Sequence, residues 1–244
     1  MSKPIPFLLD TSNEIPKFRA DTFWTKEPET IHWINSNLGA SSEIGLVVDV
    51  GANIGIYSLY SASVNKTIPV FAVEPVPATF IELNANIKLN LKMDQIYTFE
   101  VALSSESGTG HLTNVDPRLG SSGAQIEVDV IGDDANTVIL NGDSLLVSEQ
   151  KKFDQNKKVM IKIDTDGFDW SVILSAPYTI AGSKPLIFSE FQLASHKSVN
   201  DYIKAVDLLI SSGYSKSWIF DNYGNYEETF ELRALKSFLV VQAD

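Results

Sequence analysis

Cysteine is absent from this chain of 244 residues, which excludes disulfide bonds and zinc sites built on thiolates. Basic residues are few, 19 against 31 acidic ones, and the formal net charge is -12. Because a surface that follows nucleic-acid phosphates needs clustered Lys and Arg, we expect no nucleic-acid partner. Apolar runs are short: none approaches the ~20 residues of a bilayer-spanning helix, and none at the N-terminus suits a signal peptide. We expect a soluble, cytoplasmic protein.

The chain does contain an alternation of buried-strand and helical patterns, which predicts one α/β domain over residues 1–244. With 44% hydrophobic and 10% aromatic residues, it can bury one large core. Apolar runs separated by helices indicate a mostly parallel sheet with helices on both faces. The predicted strands, of which the last two pair antiparallel at an edge, are Leu46–Val50, Val70–Val73, Ile96–Ala102, Val159–Ile163, Leu186–Ser189, Trp218–Phe220 and Ser237–Val241. The predicted helices between them are Ile54–Ser63, Ala78–Leu91 and Asp201–Ser211.

Residues 1–45 precede this alternation, and we expect them to form a helical extension that acts as a lid. Residues 1–26 are interrupted by prolines and are predicted to be irregular. A helix begins near Glu27-Pro-Glu-Thr30, since proline suits the first helical position and acidic residues suit the positive end of the helix dipole. Ahead of it, Phe23 and Trp24 either close over an acceptor or, as we favour, pack on the core.

Residues 104–142 interrupt the alternation with a segment rich in Gly, Ser, Thr, Asn and Asp. One stretch within it, Gln125–Val130, alternates between apolar and polar residues, which predicts a β-hairpin excursion. Excursions beside the carboxyl ends of strands often shape the mouth of a substrate site. A plain surface hairpin is an equally good interpretation of this segment.

The stretch Leu46-Val-Val-Asp-Val-Gly-Ala-Asn-Ile-Gly-Ile56 joins a buried strand to a glycine turn and a helix. Glu74 ends the next apolar run, and together these features indicate a site for an adenosine-containing cofactor. A dinucleotide fingerprint has the spacing G-x-G-x-x-G. Here Asn53 stands at the middle position and Ile56 at the third, while glycine returns at Gly55. This spacing favours a ligand without a pyrophosphate, S-adenosylmethionine, over a dinucleotide.

The candidate cofactor residues lie at the ends of predicted strands or in the turns that follow them. Glu74, roughly 20 residues past the turn, would accept the ribose hydroxyls. The turn backbone and nearby polar groups would meet the carboxylate and amine of the methionine. Gly51 and Gly55 permit a close approach or a positive φ. The structural alternatives are a plain strand-to-helix turn, a solvated carboxylate and core packing. The candidates are Asp49, Gly51, Asn53, Gly55, Glu74, Pro75, Ala102 and Asp164.

Several ordered motifs relate the chain to one family. They are Asp49-Val-Gly-Ala-Asn-Ile-Gly55, Val73-Glu-Pro75, Asn86-Ile-Lys-Leu-Asn90, Val101-Ala-Leu-Ser104 and Ile161-Lys-Ile-Asp-Thr-Asp-Gly167. Over roughly residues 20–225 the chain resembles the FkbM-type S-adenosylmethionine-dependent methyltransferases. The resemblance extends to Arg19, to Glu27-Pro-Glu-Thr30 and to Phe220-Asp-Asn-Tyr-Gly-Asn225. Many members carry Glu where this chain has Asp166 and Asp169, so these side chains are one methylene shorter here.

The resemblance implies a class I methyltransferase fold, which is Rossmann-like, with helices on both faces of a mostly parallel sheet of seven strands. One strand near the edge is antiparallel, and the cofactor lies over the strand ends. The resemblance also implies O-methylation of a sugar, polysaccharide or other small-molecule hydroxyl. A protein or other acceptor, a nicotinamide-dependent oxidoreductase and a non-catalytic cofactor-binding protein remain as alternatives. We expect a monomer or a homodimer.

Methyl transfer to a neutral hydroxyl needs a group that takes the hydroxyl proton, or a metal that lowers the hydroxyl pKa. The candidates follow the fourth and fifth predicted strands, whose carboxyl ends face ligands in such sheets. Asp164 and Glu190 are the candidate bases, with Asp166 and His196 as further catalytic candidates. A helix cap is the structural alternative for the aspartates. The same carboxylates suit Mg²⁺, but we favour a site without a metal.

Overall fold

The computed structural model describes residues 6–39, 43–116, 118, 120–128, 135–191, 196–220, 226–228 and 237–243. Within these ranges the chain forms eight α-helices, a central sheet of eight strands and a smaller sheet of four. No helix in this part of the chain has the length and apolar character that crossing a bilayer requires.

The strands alternate with helices along most of the chain, as predicted. They are β1 (Ile44–Val50), β2 (Val70–Val73), β3 (Ile96–Phe99), β4 (Ala102–Leu103), β5 (Gly108–Thr113), β6 (Gln125–Val128), β7 (Thr137–Leu140), β8 (Lys158–Ile163), β9 (Leu186–Phe191), β10 (Tyr214–Phe220), β11 (Tyr226–Glu228) and β12 (Ser237–Ala243). The central sheet has the order β11-β10-β12-β9-β8-β1-β2-β3. The five neighbours from β9 to β3 run parallel, which confirms the prediction of a parallel sheet.

The other end of the central sheet is antiparallel and has one strand more than the resemblance implies. β12 pairs antiparallel with both β9 and β10, and β10 pairs antiparallel with β11. The sheet has eight strands rather than seven because the short strand β11 adds to its outer side. The pairing predicted for the last two long strands is confirmed, although it lies inside the sheet. Residues 221–225, which resemble the family, lie outside the described residues.

The chain leaves the central sheet after β3 earlier than predicted. β3 ends at Phe99, and β4 pairs in parallel with β7 instead of extending β3. β5 pairs antiparallel with β6 and with β7, so β4 to β7 form a small mixed sheet. The excursion is therefore a second sheet rather than the single hairpin predicted, because Ala102–Leu103 joins it as a fourth strand.

Helices flank the strands, and the first of them was not expected from the sequence. They are α1 (Glu14–Lys26), α2 (Pro28–Asn37), α3 (Ile56–Val64), α4 (Pro77–Leu89), α5 (Gly142–Ser148), α6 (Asp169–Leu174), α7 (Pro177–Ser183) and α8 (His196–Ser211). The prediction of an irregular segment is wrong for α1. Pro16 stands in its first turn, where no intrahelical hydrogen bond needs the missing N–H. α2 begins at Pro28, as predicted.

β1 is buried along its whole length because both faces of the sheet are covered. Leu46, Val48 and Val50 belong to one apolar cluster, while Val47 belongs to a second. Alternate residues of a strand point to opposite faces of the sheet. The two clusters therefore lie on opposite faces of β1, which places its carboxyl end at the centre of the molecule.

Phe23 and Trp24 pack on the core, which was the favoured interpretation. Phe23 is 3% exposed, and its ring centroid lies 5.4 Å from that of Phe7 and 5.2 Å from that of Tyr60. Trp24 packs edge-on against the same Tyr60 ring at 5.9 Å. These contacts attach α1 to the helix that follows β1.

The asparagines of the Asn86–Asn90 motif fasten the N-terminal segment to α4. Asn86 Nδ2 donates to Ile54 O at 3.0 Å, and its Oδ1 accepts from Asp10 N at 2.9 Å. Asn90 exchanges two hydrogen bonds with the backbone of Leu8, at 2.7 and 2.8 Å. This part of the family resemblance therefore has a structural basis, since the amides join the glycine turn, α4 and the approach to α1.

The turn between β1 and α3 depends on glycine at two positions. A Cβ at Gly51 would lie 1.8 Å from Asp164 O, so the turn packs backbone against backbone on the segment after β8. Gly55 has φ +90°, and a Cβ there would lie 2.6 Å from Leu83 Cδ1. Residues with a side chain rarely adopt this φ. Gly55 therefore allows α3 to pack against α4.

Replacing Gly55 by Ala should destabilise the protein by roughly 1–3 kcal/mol, because the left-handed φ becomes strained and the methyl group meets Leu83. Gly108→Ala is the matched control, since a Cβ at Gly108 would meet nothing within 4 Å. Urea denaturation of both variants measures the difference. A Gly55→Ala variant as stable as the wild type would contradict this assignment.

Candidate active site

A cleft opens at the carboxyl ends of β1, β2 and β8, the position where ligands bind in open α/β sheets. It has about 630 Å³ of empty space that continues into solvent, and we call it the first cleft. Six of the predicted cofactor residues line it: Gly51, Asn53, Glu74, Pro75, Ala102 and Asp164. The described lining includes three carboxylates, from Glu74, Asp164 and Asp166, and no Lys or Arg.

Glu74 lies at the end of β2 with 5% of its surface exposed. Its Oε2 accepts from Asn53 N and its Oε1 from Val76 N, each at 2.9 Å. Burial raises the pKa of Glu74 to about 7, although the two N–H donors act in the opposite direction. Each carboxylate oxygen has a further lone pair. Glu74 can therefore hold the turn in place and still accept hydroxyl groups of a ligand.

The backbone donors of the glycine turn are all used within the protein. The pairs, each 2.9 or 3.0 Å long, are Gly51 N to Val73 O, Ala52 N to Val73 O, Asn53 N to Glu74 Oε2, Ile54 N to Asn53 Oδ1 and Gly55 N to Ala52 O. An anion bound at such a turn needs free N–H groups. The N–H groups of the turn therefore already have partners in this structure, and contact of the turn with a ligand carboxylate stays a prediction.

The segment 120–123 of the excursion lies over the first cleft. Three hydrogen bonds hold it there: Arg19 Nε donates to Gly120 O at 2.9 Å, Asn53 Nδ2 donates to Ser121 O at 2.8 Å, and Gly123 N donates to Asp166 Oδ2 at 2.6 Å. Residues 121–124 also line the cleft. The excursion thus contributes to the mouth of the cleft, one of the two interpretations that the sequence left open.

Lys162 is a buried cation beneath the strand ends. Its Nζ lies 3.4 Å from Asp49 Oδ1 and 3.4 Å from Asp164 Oδ2, and 4.9 Å from the centre of the Tyr57 ring. Burial opposes the charge of the amine, but the carboxylates of Asp164, Asp49 and Glu27 outweigh it and raise the pKa of Lys162. Lys162 therefore stays charged and joins the ends of β1 and β8.

Asp49 contacts Lys162 and Ser58 inside the protein. It is 2% exposed, and its Oδ2 accepts from Ser58 Oγ at 2.6 Å while its Oδ1 faces Lys162. Neither Asp49 nor Gly55 is among the residues that line the first cleft. Both residues thus have structural contacts, Asp49 with Lys162 and Gly55 beside Leu83, and their direct contact with a cofactor stays a prediction.

A second cleft, with about 440 Å³ of empty space, adjoins the first at Gly51, Asn53 and Asp164. Its lining includes Arg19 and Lys26 of α1, so the N-terminal extension forms one wall. This wall fits the predicted position of a lid. Unlike the first cleft, the second presents both cationic and anionic side chains.

Glu27 is the buried acid of the second cleft. Lys26 Nζ and Tyr57 Oη each donate to it at 2.6 Å. Burial alone would raise the pKa of Glu27, but the hydrogen bonds from Lys26 and Tyr57 outweigh it and lower the pKa. Glu27 is therefore an ionised carboxylate at the junction of α1 and α2.

The three aspartates after β8 have different surroundings. Asp164 lines both clefts, and 33% of its side chain is exposed. Asp166 holds Gly123 and has the uncommon φ of 50°. Asp169 is 1% exposed at the first position of α6, where it accepts from Thr165 N and Gly167 N. Burial, with the charge of Asp164, raises the pKa of Asp169 to about 6.

Of the catalytic candidates whose side chains the structure describes, Asp164 alone combines exposure with a position in both clefts. Asp166 lines the first cleft only, and its Oδ2 accepts a hydrogen bond from Gly123 N. Glu190 is in β9, opposite Phe238 of β12, and His196 begins α8. The side chains of Glu190 and His196 lie outside the described part of the structure, so their catalytic roles stay predictions.

Several side chains of the second cleft were not predicted as site residues, among them Arg19, Glu27, Tyr57 and Lys162. Lys162 alone carries a local signal, because a lysine inside an otherwise apolar buried strand implies paired carboxylates. Arg19, Glu27 and Tyr57 come from α1, the residue after it and α3. No local pattern reports that these elements meet.

Replacing Lys162 by Met should destabilise the protein by about 3–5 kcal/mol, because it leaves the buried Asp49 without its cation. Lys158→Met is the matched control, since Lys158 begins the same strand with 48% of its side chain exposed. Urea denaturation compares the two, and the control should change stability by less than about 1 kcal/mol. Equal effects of the two substitutions would contradict the role of Lys162.

Comparisons with known proteins agree with this geometry. A family model described as the methyltransferase FkbM domain matches residues 49–215. Methyltransferase sdnD of Sordaria araneosa is 37% identical over 67 residues, which are 28% of this chain and 26% of that protein. The chain thus spans about a quarter of this curated relative.

Two solved structures share the fold at low identity. Methyltransferase FkbM from Methylobacillus flagellatus KT superposes with a TM-score of 0.53 at 16% identity, covering 91% of this chain and 52% of that one. A putative rRNA-methylase from Clostridium thermocellum gives a TM-score of 0.50 at 9% identity, covering 90% and 96%. The chain spans about half of the first structure. Since the family model matches well over half of its residues, this chain belongs to the FkbM methyltransferase domain family.

Proposed function

We propose that this chain is an S-adenosylmethionine-dependent O-methyltransferase that acts on a hydroxyl of a sugar, polysaccharide or other small molecule. The observation that carries the proposal is the charge of the first cleft, which has three carboxylates and no basic side chain in its described lining. A sulfonium cation suits such a cleft. The pyrophosphate of a nicotinamide dinucleotide would need cations or free N–H groups, and the turn supplies neither. This contrast disfavours the oxidoreductase alternative.

The first cleft also fits the adenosine part of the cofactor. Glu74 has lone pairs for ribose hydroxyls, and the apolar side chains of Val101 and Leu103 in the same lining suit an adenine ring.

The chemistry divides between the cofactor and the chain. When bound, S-adenosylmethionine supplies a methyl group that is already activated for in-line displacement. The chain then has to orient the acceptor hydroxyl and remove its proton. Asp164 suits the second task, because it is partly exposed where the two clefts meet. Glu190 is the alternative base.

We propose that the reaction proceeds without a metal. Lys162 Nζ, 3.4 Å from both Asp49 and Asp164, already provides the positive charge between these carboxylates. Mg²⁺ near Asp164 would have to overcome that charge. A reaction abolished by EDTA and restored by Mg²⁺ would contradict this part of the proposal.

The choice of acceptor rests on the family resemblance, with the net charge of -12 as a further argument against RNA. A protein acceptor is the alternative. We retain a cytoplasmic monomer or homodimer as the expected setting of the reaction.

Replacing Glu74 by Gln should weaken binding of S-adenosylhomocysteine about ten- to hundredfold, the scale for leaving a buried hydrogen-bonding group without its partner. Isothermal titration calorimetry measures the affinity, with Glu100→Gln, an exposed residue after β3, as the matched control. Wild-type protein that shows no binding at millimolar S-adenosylhomocysteine would contradict the proposed function. Tight binding of NADH instead would favour an oxidoreductase.

Replacing Asp164 by Asn should lower kcat for methyl transfer to the acceptor about 10²–10⁴-fold, the usual contribution of a general base. Transfer of a radiolabelled methyl group to a panel of saccharides, small-molecule alcohols and proteins identifies the acceptor and gives kcat. Asp94→Asn, at an exposed position just before β3, controls for loss of charge. Full activity of the Asp164→Asn variant would move the role of base to Glu190.

A further inference from the structure

The second cleft has a charge pattern that the proposed reaction does not yet use. Arg19 and Lys26 supply positive charge, and Glu27 and Asp164 supply negative charge. The neutral hydroxyls of a sugar require neither, whereas a zwitterion requires both. The amino-acid end of the cofactor, with its ammonium and carboxylate, is such a zwitterion.

The positions of the clefts support the same occupant. They meet at Gly51, Asn53 and Asp164, while Glu74 lies in the first cleft only. A ligand whose ribose binds Glu74 and whose chain extends across Gly51 enters the second cleft. The sulfonium then lies near Asp164, where the two clefts join.

The carboxylate of this ligand needs a cation from a side chain. All N–H groups of the glycine turn are already used, and the described lining of the first cleft contains no basic residue. In the second cleft, Lys162 is buried between Asp49 and Asp164, and Lys26 is paired with Glu27 at 2.6 Å. Among the described residues of the second cleft, Arg19 is therefore the cation that is not paired with a carboxylate.

Arg19 is well placed for this task. Its described hydrogen bond, to Gly120 O at 2.9 Å, uses Nε and leaves the two terminal nitrogens for a ligand. Arg19 lines the second cleft, and its hydrogen bond to Gly120 reaches the segment that borders the first. Arginine binds carboxylates through two parallel N–H donors.

We propose that Arg19 of α1 binds the α-carboxylate of the cofactor's amino-acid end in the second cleft, with Glu27 facing its ammonium. This inference rests on the proposed function, because it assigns a second part of the same cofactor. It makes the N-terminal helix a part of the cofactor site. The acceptor then approaches from the mouth that the segment 120–123 borders.

Two ligands separate the adenosine contacts from the amino-acid contacts. S-adenosylhomocysteine has both parts, whereas 5′-methylthioadenosine has the adenosine and sulfur but no amino acid. Calorimetry with wild type and Arg19→Gln should show about ten- to hundredfold weaker binding of S-adenosylhomocysteine in the variant. The affinity for 5′-methylthioadenosine should stay the same. Lys17→Gln is the matched control, since Lys17 lies exposed on the same helix and pairs with Asp21.

Three other results of the calorimetry would contradict either this inference or the proposed function. If Arg19→Gln weakens both ligands equally, Arg19 acts only by holding Gly120 and the segment over the first cleft, and the inference is wrong. If neither ligand is weakened, the carboxylate binds elsewhere and the inference is also wrong. Wild-type protein that binds neither ligand would instead reject the proposed function.

Discussion

The buried amine of Lys162 is the interaction on which the arrangement of both clefts depends. It lies 3.4 Å from a carboxylate on β1 and from another just after β8, so it fixes the two strand ends that the clefts share. The Gly51 turn packs directly on the backbone of Asp164, which leaves no room for the strands to shift. A neutral residue at this position would leave Asp49 charged in the core, a cost that packing alone does not offset.

The second constraint on the site is that the glycine turn between β1 and α3 has used its backbone N–H groups within the protein. The N–H groups of the turn hold β2 and the turn itself, so our proposal assigns recognition of the ligand to side chains around the turn. Glu74 holds the turn and faces the first cleft, while α1 and Glu27 wall the second. This division explains why an N-terminal extension that contributes no strand packs closely against the sheet and the excursion.

Local sequence patterns predicted the parallel strands, the glycine turn and the positions of Glu74 and Asp164, because each is a property of a few adjacent residues. The patterns failed where contacts between distant segments decide the outcome. Asp49 looks like a turn residue until Lys162 and Ser58 are seen beside it. Glycine is needed at position 55 because a Cβ there would meet Leu83. Ala102–Leu103 joins the small sheet because Ala102 pairs with Ile139. α1 was missed because Pro16 suggests a break and the helix has no regular apolar stripe.

The central claim is that the cleft at the strand ends binds S-adenosylmethionine with its ribose at Glu74 and its amino-acid end beside α1. A crystal structure of the complex with S-adenosylhomocysteine tests it most directly. The account predicts both ribose hydroxyl oxygens within ~3 Å of the Glu74 carboxylate and the amino-acid carboxylate at Arg19. A ligand whose ribose lies away from Glu74, or whose amino-acid end points away from the second cleft, would contradict it.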